Sequence, residues 1–331
     1  MTTTSVECIE CGEFVALDDA IARDDDGMAP WLCEECARWC DVCGRVIGRS
    51  DAVSDAGDDQ APWLCEECAD DGCLHPYSYH PTLTFFRLDE EEPDPHTPCL
   101  GLELEIEANS RQDRHDIVEA TEYECDGVFY CKADNSLGVL GVEVVSHPMT
   151  IEYAQNFDWE SLCETLSQLG KSWDTDSCGI HVHLSRDSME RSHLWRFARL
   201  FNDNPEPFGR LAGRTGSRWA RFAEDFGPMS KAIAGKGDDP DRYSALNLQN
   251  AATVEVRIFR GTLNLVGVLA ALELVHAAWA YTADLSFTAV QNGALDFDAF
   301  RTWVESECAD DYPALVQRMV DRLATSKSQV V

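Results

Sequence analysis

The sequence predicts an α+β protein in which a small cysteine-rich region precedes one large domain. Three observations carry this: a cysteine pattern repeated at the N-terminus, four alternating segments with ionisable side chains on one face, and helical apolar spacing between and after them. At 331 residues and 44% hydrophobic content, the chain has room for a sizeable core.

The repeat comes first in the chain. Ala29-Pro30-Trp31-Leu32-Cys33-Glu34-Glu35-Cys36-Ala37 returns as the segment from Ala61 to Ala69, and the pair Cys8/Cys11 returns at the same offset as Cys40/Cys43. Each copy therefore reads Cys-x2-Cys, a 21-residue excursion, then Cys-x2-Cys. Two such turns present four thiolates to one tetrahedral ion, so Cys8, Cys11, Cys33 and Cys36, and then Cys40, Cys43, Cys65 and Cys68, are expected to hold two structural Zn2+ ions in zinc-ribbon-like modules. Which cysteines share an ion is open, because an interleaved pairing satisfies the same spacing. Gly12 and Gly44 follow the first pair of each copy and suit a tight knuckle. The aspartate-rich excursions are expected to form hairpins. A module this small lacks a sufficient core, so metal supplies much of its folding free energy. Four-thiolate sites have no open position, which excludes catalysis there. Cys73, His75 and His80 are possible further ligands, though a surface tail is the simpler reading.

These boundaries place module one at residues 1–38 and module two at 39–72. Residues 73–97, with five prolines between Pro76 and Pro98 and an acidic run, read as a linker, and the large domain covers 98–331.

Within the large domain, Leu100 to Glu107 alternates strictly, with Glu103, Glu105 and Glu107 on one face and aliphatics on the other. A row of like charges repels, and a bound cation relieves that repulsion. Lys132-Ala133-Asp134-Asn135-Ser136 precedes a second strand, Gly141 to Ser146. The third, Cys178 to Ser185, puts His181 and His183 on one face, and the fourth, Thr253 to Arg260, projects Glu255 and Arg257 together. A shared sheet would line one concave surface with carboxylate and imidazole, a donor set suited to Mg2+ or Mn2+ with a nucleotide phosphate. Helices are expected at Ile151–Leu169, Ser188–Asn202, Ser217–Glu224, Leu265–Asp284 and Pro313–Ala324. Arg210, Arg214, Arg218 and Arg221 form an arginine group able to hold phosphates. Gly235-Lys236 lacks the rest of a P-loop, and no Gly-x-Gly-x-x-Gly opens a helix, so a nucleotide would be held through metal and arginine.

Composition narrows the partners. There are 26 Lys+Arg against 60 Asp+Glu, a net charge of -34. Runs such as Asp24–Asp26 and Glu90–Glu92 read as solvated surface that repels itself in dilute buffer and is relieved by salt. A halophilic archaeon, or one of its viruses, is the expected source. With no basic patch, nucleic acid is not an expected partner. The longest apolar stretch carries Glu273 and His276, as a buried helix does and a membrane span does not. The N-terminus has neither the basic start nor the apolar core of a signal peptide, and the 15 cysteines fall in metal-like spacing; a cytoplasmic location follows.

Taken in order, Gly-x-Glu-x-Glu (101–105), Asp-x-Ser (134–136), Gly-Val-Glu-Val-Val-Ser (141–146), Cys-Gly-Ile-His-Val-His (178–183) and Thr-Val-Glu-Val-Arg-x-Phe-Arg-Gly-Thr-Leu (253–263) resemble the amidoligase family. That family belongs to the glutamine synthetase and glutamate–cysteine ligase superfamily of carboxylate–amine ligases. The resemblance covers about Pro98 to Asp284 and implies a curved antiparallel sheet around an active site, backed by helices. It further implies that Glu103, Glu105, Glu143, His181 and Glu255 bind Mg2+ and position ATP, with Asp134 near them. Arg257 would stabilise the transferring phosphoryl group, making Arg257, Glu255 and His181 the catalytic set. His183, Arg242, Asn247 and Arg260 would contact the nucleotide or substrate. The simplest ligases of this superfamily lack the zinc-bearing N-terminus.

The implied activity is ATP-dependent amide formation from a carboxylate and an amine, carried by an amino acid, a peptide or a small metabolite. No side-chain nucleophile is needed, so Cys178 is expected only to pack. A non-catalytic zinc-module adaptor with a relic ligase fold, or a metal-dependent hydrolase, are the competing readings. The zinc modules are expected to dock a protein partner.

Overall fold

A computed structural model describes residues 5–22, 30–40, 44–52, 63–65, 68, 74–89, 94, 96–173, 175, 177–214, 220–236 and 243–323. The N-terminal region contains three small antiparallel pairs: β1 (Ser5–Glu7) with β2 (Phe14–Ala16), β3 (Ile21–Ala22) with β4 (Trp31–Leu32), and β5 (Ala37–Trp39) with β6 (Val46–Gly48). The β3–β4 pair is the expected hairpin of the first excursion. The matching stretch of the second excursion lies outside the described residues.

The two copies repeat in geometry as well as in sequence. The Cys8 amide donates to the Glu13 carbonyl and the Gly12 amide to the Cys8 carbonyl, at 2.8 Å each. Thirty-two residues on, the Cys40 amide donates to Arg45 at 2.9 Å and the Gly44 amide to Cys40 at 2.8 Å. Gly12 and Gly44 sit at φ 73° and 69°, the left-handed region that closes each knuckle and that only glycine occupies without strain. The modules touch each other: the Arg49 amide donates to the Cys36 carbonyl at 2.9 Å, and the Ser50 amide to Glu10 Oε1 at 2.6 Å.

The large domain is built on a seven-stranded sheet. Its strands are β7 (Leu100–Ala108), β8 (Phe129–Lys132), β9 (Gly141–Ser146), β10 (Gly170–Lys171), β11 (Gly179–Ser185), β12 (Leu246–Asn247) and β13 (Thr253–Arg260). The order is β12-β13-β11-β7-β9-β8, every pair is antiparallel, and β10 joins the end of β7. Strict alternation makes this a two-faced sheet. Leu100, Leu102, Leu104 and Ile106 point into the one large hydrophobic core among the described residues, with Val142, Val144, Ile180, Val182, Val254 and Val256. The opposite face carries the ionisable residues.

Ten helices cover the core side and the flanks among the described residues: α1 (Arg111–Val118), α2 (Ile151–Asn156), α3 (Trp159–Leu169), α4 (Arg191–Asp203), α5 (Pro205–Ala212), α6 (Gly227–Ile233), α7 (Leu265–Ala283), α8 (Phe287–Gln291), α9 (Phe297–Glu307) and α10 (Pro313–Leu323). The helix expected over 151–169 is two helices. Thr150 caps α2 by accepting from the Tyr153 amide, Phe157 is extended, and Asp158 opens α3 by accepting from the Ser161 amide at 3.2 Å. The helix expected over 217–224 is corrected at residues 220–224, which are not helical. The Arg221 amide donates to Tyr243 at 3.0 Å and its carbonyl accepts from Ala245 at 2.8 Å, so a neighbouring segment takes the bonds a helix would need. Helix α7 is long and apolar enough to cross a membrane by composition, yet 61% of its apolar window is buried in the domain. Its fully buried Glu273 accepts from Gln155 Nε2 at 3.0 Å and from the Leu315 amide at 2.7 Å, tying α7 to α2 and α10.

Residues 74–88 run along the large domain. His75 exchanges backbone hydrogen bonds with Cys131 and Ala133 at 3.0 and 2.9 Å, its ring stacks on Tyr79 at 3.6 Å, and Phe86 bridges to Met149. The prolines keep this segment extended without helix or strand, while its aromatic residues dock it.

Candidate metal centres and active site

In the first module the sulfurs of Cys8, Cys11, Cys33 and Cys36 converge within 4.8 Å of one another. Cys11 and Cys33 sulfurs stand 3.8 Å apart. A tetrahedron with Zn–S of about 2.3 Å requires S–S spacings of about 3.8 Å, so the donor set fits zinc. Burial would raise the Cys8 thiol, but backbone amides from Cys11, Cys33 and Glu10 bring it down to about 6, while the neighbouring Cys33 sulfur pushes Cys36 up, as crowded thiols do without a cation among them. Cys40, Cys65 and Cys68 converge in the second module, all buried; Cys43 lies outside the described residues. The pairing is sequential, not interleaved. These cysteine clusters can hold structural metal, with zinc the best match to four thiolates.

The second cluster is not remote from the sheet. Cys40, Cys65, Cys68, Ile47 and Ala133 share one small hydrophobic cluster against Leu74. Ala133 lies between Lys132 and Asp134, so the module packs directly behind two polar residues of the large domain's cleft.

That cleft has a volume of about 460 Å³ and opens on the ionisable face of the sheet. Register explains its contents. His181 lies opposite Glu103, His183 opposite Glu255, and Glu105 opposite Glu143. A bulge in β13 falls between the residues facing Ile180 and Val182, and Arg257 lies within it. Two groups result. Glu103, His183 and Glu255 form one; Glu105, Asp134 and Glu143 form the other; in each, the donor atoms lie within 4.8 Å of one another.

Hydrogen bonds fix the first group. The Glu103 carboxylate bridges His181 Nδ1 at 3.0 Å and His183 Nε2 at 2.9 Å, and His183 Nδ1 reaches Thr253 Oγ1 at 3.0 Å. Asn247 Nδ2 donates to Glu255 Oε2 at 2.8 Å, and Arg257 Nη1 pairs with Glu255 Oε1. Burial alone would raise the Glu103 carboxyl, but the His183 and His181 imidazoles hold it well below the usual carboxylate range. Burial would lower His183; Glu103 instead raises it to about 8.

The second group is short of positive charge. Burial raises the Glu105 carboxyl against the pull of His181, and Asp134 adds to the rise. Burial, then Glu103, pushes Glu143 well above its ordinary value, with Lys132 opposing from 3.7 Å. Glu143 Oε2 is buried with no hydrogen-bond partner among the described residues. A buried carboxylate oxygen without a hydrogen bond, beside two further acids, is what a hard divalent cation satisfies. The donor chemistry therefore fits Mg2+ or Mn2+ better than zinc.

No protein-family model matches this chain, and no characterised protein matches it in sequence.

The remaining residues divide clearly. Asn247 is buried and oriented by its bond to Glu255. Arg260 stands opposite Gly179 and stacks over Trp173 at 4.0 Å, in a neighbouring recess. Arg242 and Arg218 lie outside the described residues. Of the other arginines grouped in the sequence, Arg214 reaches the site: a Cβ at Gly179 would lie 2.7 Å from Arg214 Nη1 and 3.3 Å from Glu105 Oε2. Gly179 thus leaves the space through which Arg214 approaches Glu105. Arg210 lies 3.9 Å from Glu206 on its own helix. Cys178 is buried, and burial pushes its thiol up to about 11, which suits packing and not nucleophilic chemistry.

Sequence reasoning missed Lys132, Tyr77 and Ser78 as cleft residues, and assigned His80 only as a possible zinc ligand. Lys132 lies 5.0 Å from the Tyr77 ring centroid. A lysine directly before the Asp-x-Ser motif was a usable signal; the residues from 74–88 carried none, because nothing local says where an extended segment docks.

Proposed function

We propose that the protein is an ATP-dependent carboxylate–amine ligase resembling the amidoligases, and that the two clusters of ionisable side chains in the cleft hold divalent ions beneath a nucleotide. The observation that carries this reading is the pairing of Glu103, His183 and Glu255 with Glu105, Asp134 and Glu143 on one sheet face, with Arg257 and Arg214 at its edge.

Such ions, when bound, would supply charge neutralisation across phosphate oxygens. The chain's own residues do the rest. Glu103, Glu105, Glu143 and Glu255 orient the site, held in turn by His181, His183 and Asn247. Arg257, anchored by Glu255, offers its guanidinium to charge developing on the transferring phosphoryl group. A substrate carboxylate oxygen would attack the γ-phosphorus of ATP, releasing ADP and giving an acyl phosphate; the amine would then attack the acyl carbon, expelling phosphate and losing a proton to give the amide. Tyr77, Ser78 and His80 also line the cleft and would help to exclude water, which would otherwise compete with the amine.

ADP formation with panels of amino acids and amines tests this, with mass spectrometry of the acceptors. The expected outcome is amine-dependent ADP release with a new amide, reduced at least about 100-fold in Glu105→Ala/Glu255→Ala. ATP turnover without any amide product would favour a hydrolase, and turnover that survives the double substitution would remove these carboxylates from the mechanism.

A further inference from the structure

Strand β8 ends by placing a cation among the carboxylates of the cleft. Lys132 pairs across the sheet with Glu143 on β9, and its Nζ stands 3.7 Å from Glu143 Oε2. That oxygen is buried and has no hydrogen-bond partner among the described residues. At this separation the ammonium offsets the charge of Glu143 without hydrogen-bonding to it. The Lys132 side chain is 11% exposed and lines the same cleft as Glu143.

The other two acids of the cluster are tied to backbone. Glu105 Oε2 accepts from the Gly179 amide, and Asp134 Oδ1 accepts from the Ser136 amide at 2.7 Å. Glu143 instead faces an ammonium on a four-carbon stem, which can swing between seats. A second seat is within reach, since the Tyr77 ring centroid lies 5.0 Å from Lys132 Nζ, inside the range of a cation–π contact. Backbone bonds hold that ring in place. The His75 amide donates to the Cys131 carbonyl at 3.0 Å and the Ala133 amide to the His75 carbonyl at 2.9 Å, one on each side of Lys132. Lys132 thus stands between a carboxylate and an aromatic face, and both line the cleft.

We propose that Lys132 is an internal competitor of the divalent ion at the Glu105–Asp134–Glu143 cluster, yielding Glu143 to the ion and withdrawing onto the Tyr77 ring. The inference rests on the reading of that cluster as a cation site. A divalent ion and an ammonium drawn to one carboxylate oxygen repel each other, and the doubly charged ion, which binds the oxygen directly, prevails. Lys132 is then a positioning residue that sets the ion's affinity through Glu143. Tyr77 favours the ion by receiving the displaced ammonium, which links ion binding to the extended segment at the cleft.

Mn2+ titration of the zinc-loaded full chain, followed by electron paramagnetic resonance, tests the proposal in Lys132→Gln, Tyr77→Leu and the double variant. Lys132→Gln should bind one Mn2+ about tenfold more tightly than the unaltered chain, a gain that mere damage to the fold does not produce. Tyr77→Leu should bind it about threefold more weakly, and should add nothing once Lys132 is replaced. Lys132→Gln that binds Mn2+ no more tightly would overturn the role of Lys132 and leave the cation site standing. If Lys132→Gln fails to fold, Tyr77→Leu decides, since Tyr77 is 47% exposed, and unchanged affinity there would overturn the proposal. An unaltered chain that binds no Mn2+ would overturn the cation site and the proposal together.

Discussion

Glu255 accepts from Asn247 on one carboxylate oxygen and from Arg257 on the other, so its orientation is set by its own neighbours. Glu143 is its opposite: its Oε2 is buried without a hydrogen bond and faces Lys132 Nζ at 3.7 Å. The cleft thus sets satisfied acids beside one that lacks a hydrogen bond, and the cluster around Glu143 could hold a cation. Away from the site, His276 gives a residue-scale prediction. Its Nδ1 lies 3.0 Å from the Tyr312 hydroxyl, and burial lowers its pKa from 6.5 to about 4. The folded protein therefore resists a proton that the unfolded chain accepts. Stability from this residue is present above pH 6.5 and is lost as pH falls from about 6.5 to about 4, by at most about 3 kcal/mol. Denaturant unfolding should show that slope flattened in His276→Gln; an unchanged slope in that window would remove the residue from the pH response.

At the scale of elements, the sheet was legible because period-two alternation separates its faces. Glu103/Glu105, His181/His183 and Glu255/Arg257 fall on one side wherever the strands are placed. The register that sets His183 opposite Glu255 was not legible, because the bulge in β13 arises from pairing and not from local composition. Helices α5 and α6 were missed although Pro205 and Pro228 mark their first turns, a start signal outweighed by short apolar runs. The packing of Cys40, Cys65 and Cys68 on Ala133 was also unreadable, since it joins residues far apart in sequence. It has a consequence. The second module packs behind the cleft through Ala133, whereas the first touches the second and not this cluster. Removing metal should therefore loosen β8 and Asp134. Hydrogen exchange at the Ala133 amide, which donates to His75 at 2.9 Å, should accelerate at least about tenfold on chelation. Unchanged protection there would mean that the module and the cleft are independent.

For the whole molecule, charge is the dominant property. An excess of 34 negative charges repels across the surface, and screening falls within about 10 Å at 0.1 M salt. We expect the thermal midpoint to rise by several degrees, on the order of 5 °C, between 0.1 and 2 M KCl, as a halophilic origin would require. A flat or falling midpoint in calorimetry would speak against it. Within this field the cleft concentrates carboxylates on one face of the sheet. The account rests on the cleft, where four strands and the turn after β8 bring five acids and one imidazole into two clusters that could hold cations. Titration of the zinc-loaded chain with Mn2+, followed by electron paramagnetic resonance, tests this most directly. About two ions per chain should bind, and Glu105→Ala/Glu255→Ala should lose both without unfolding. Mn2+ that fails to bind, or binds the double variant equally well, would contradict the account.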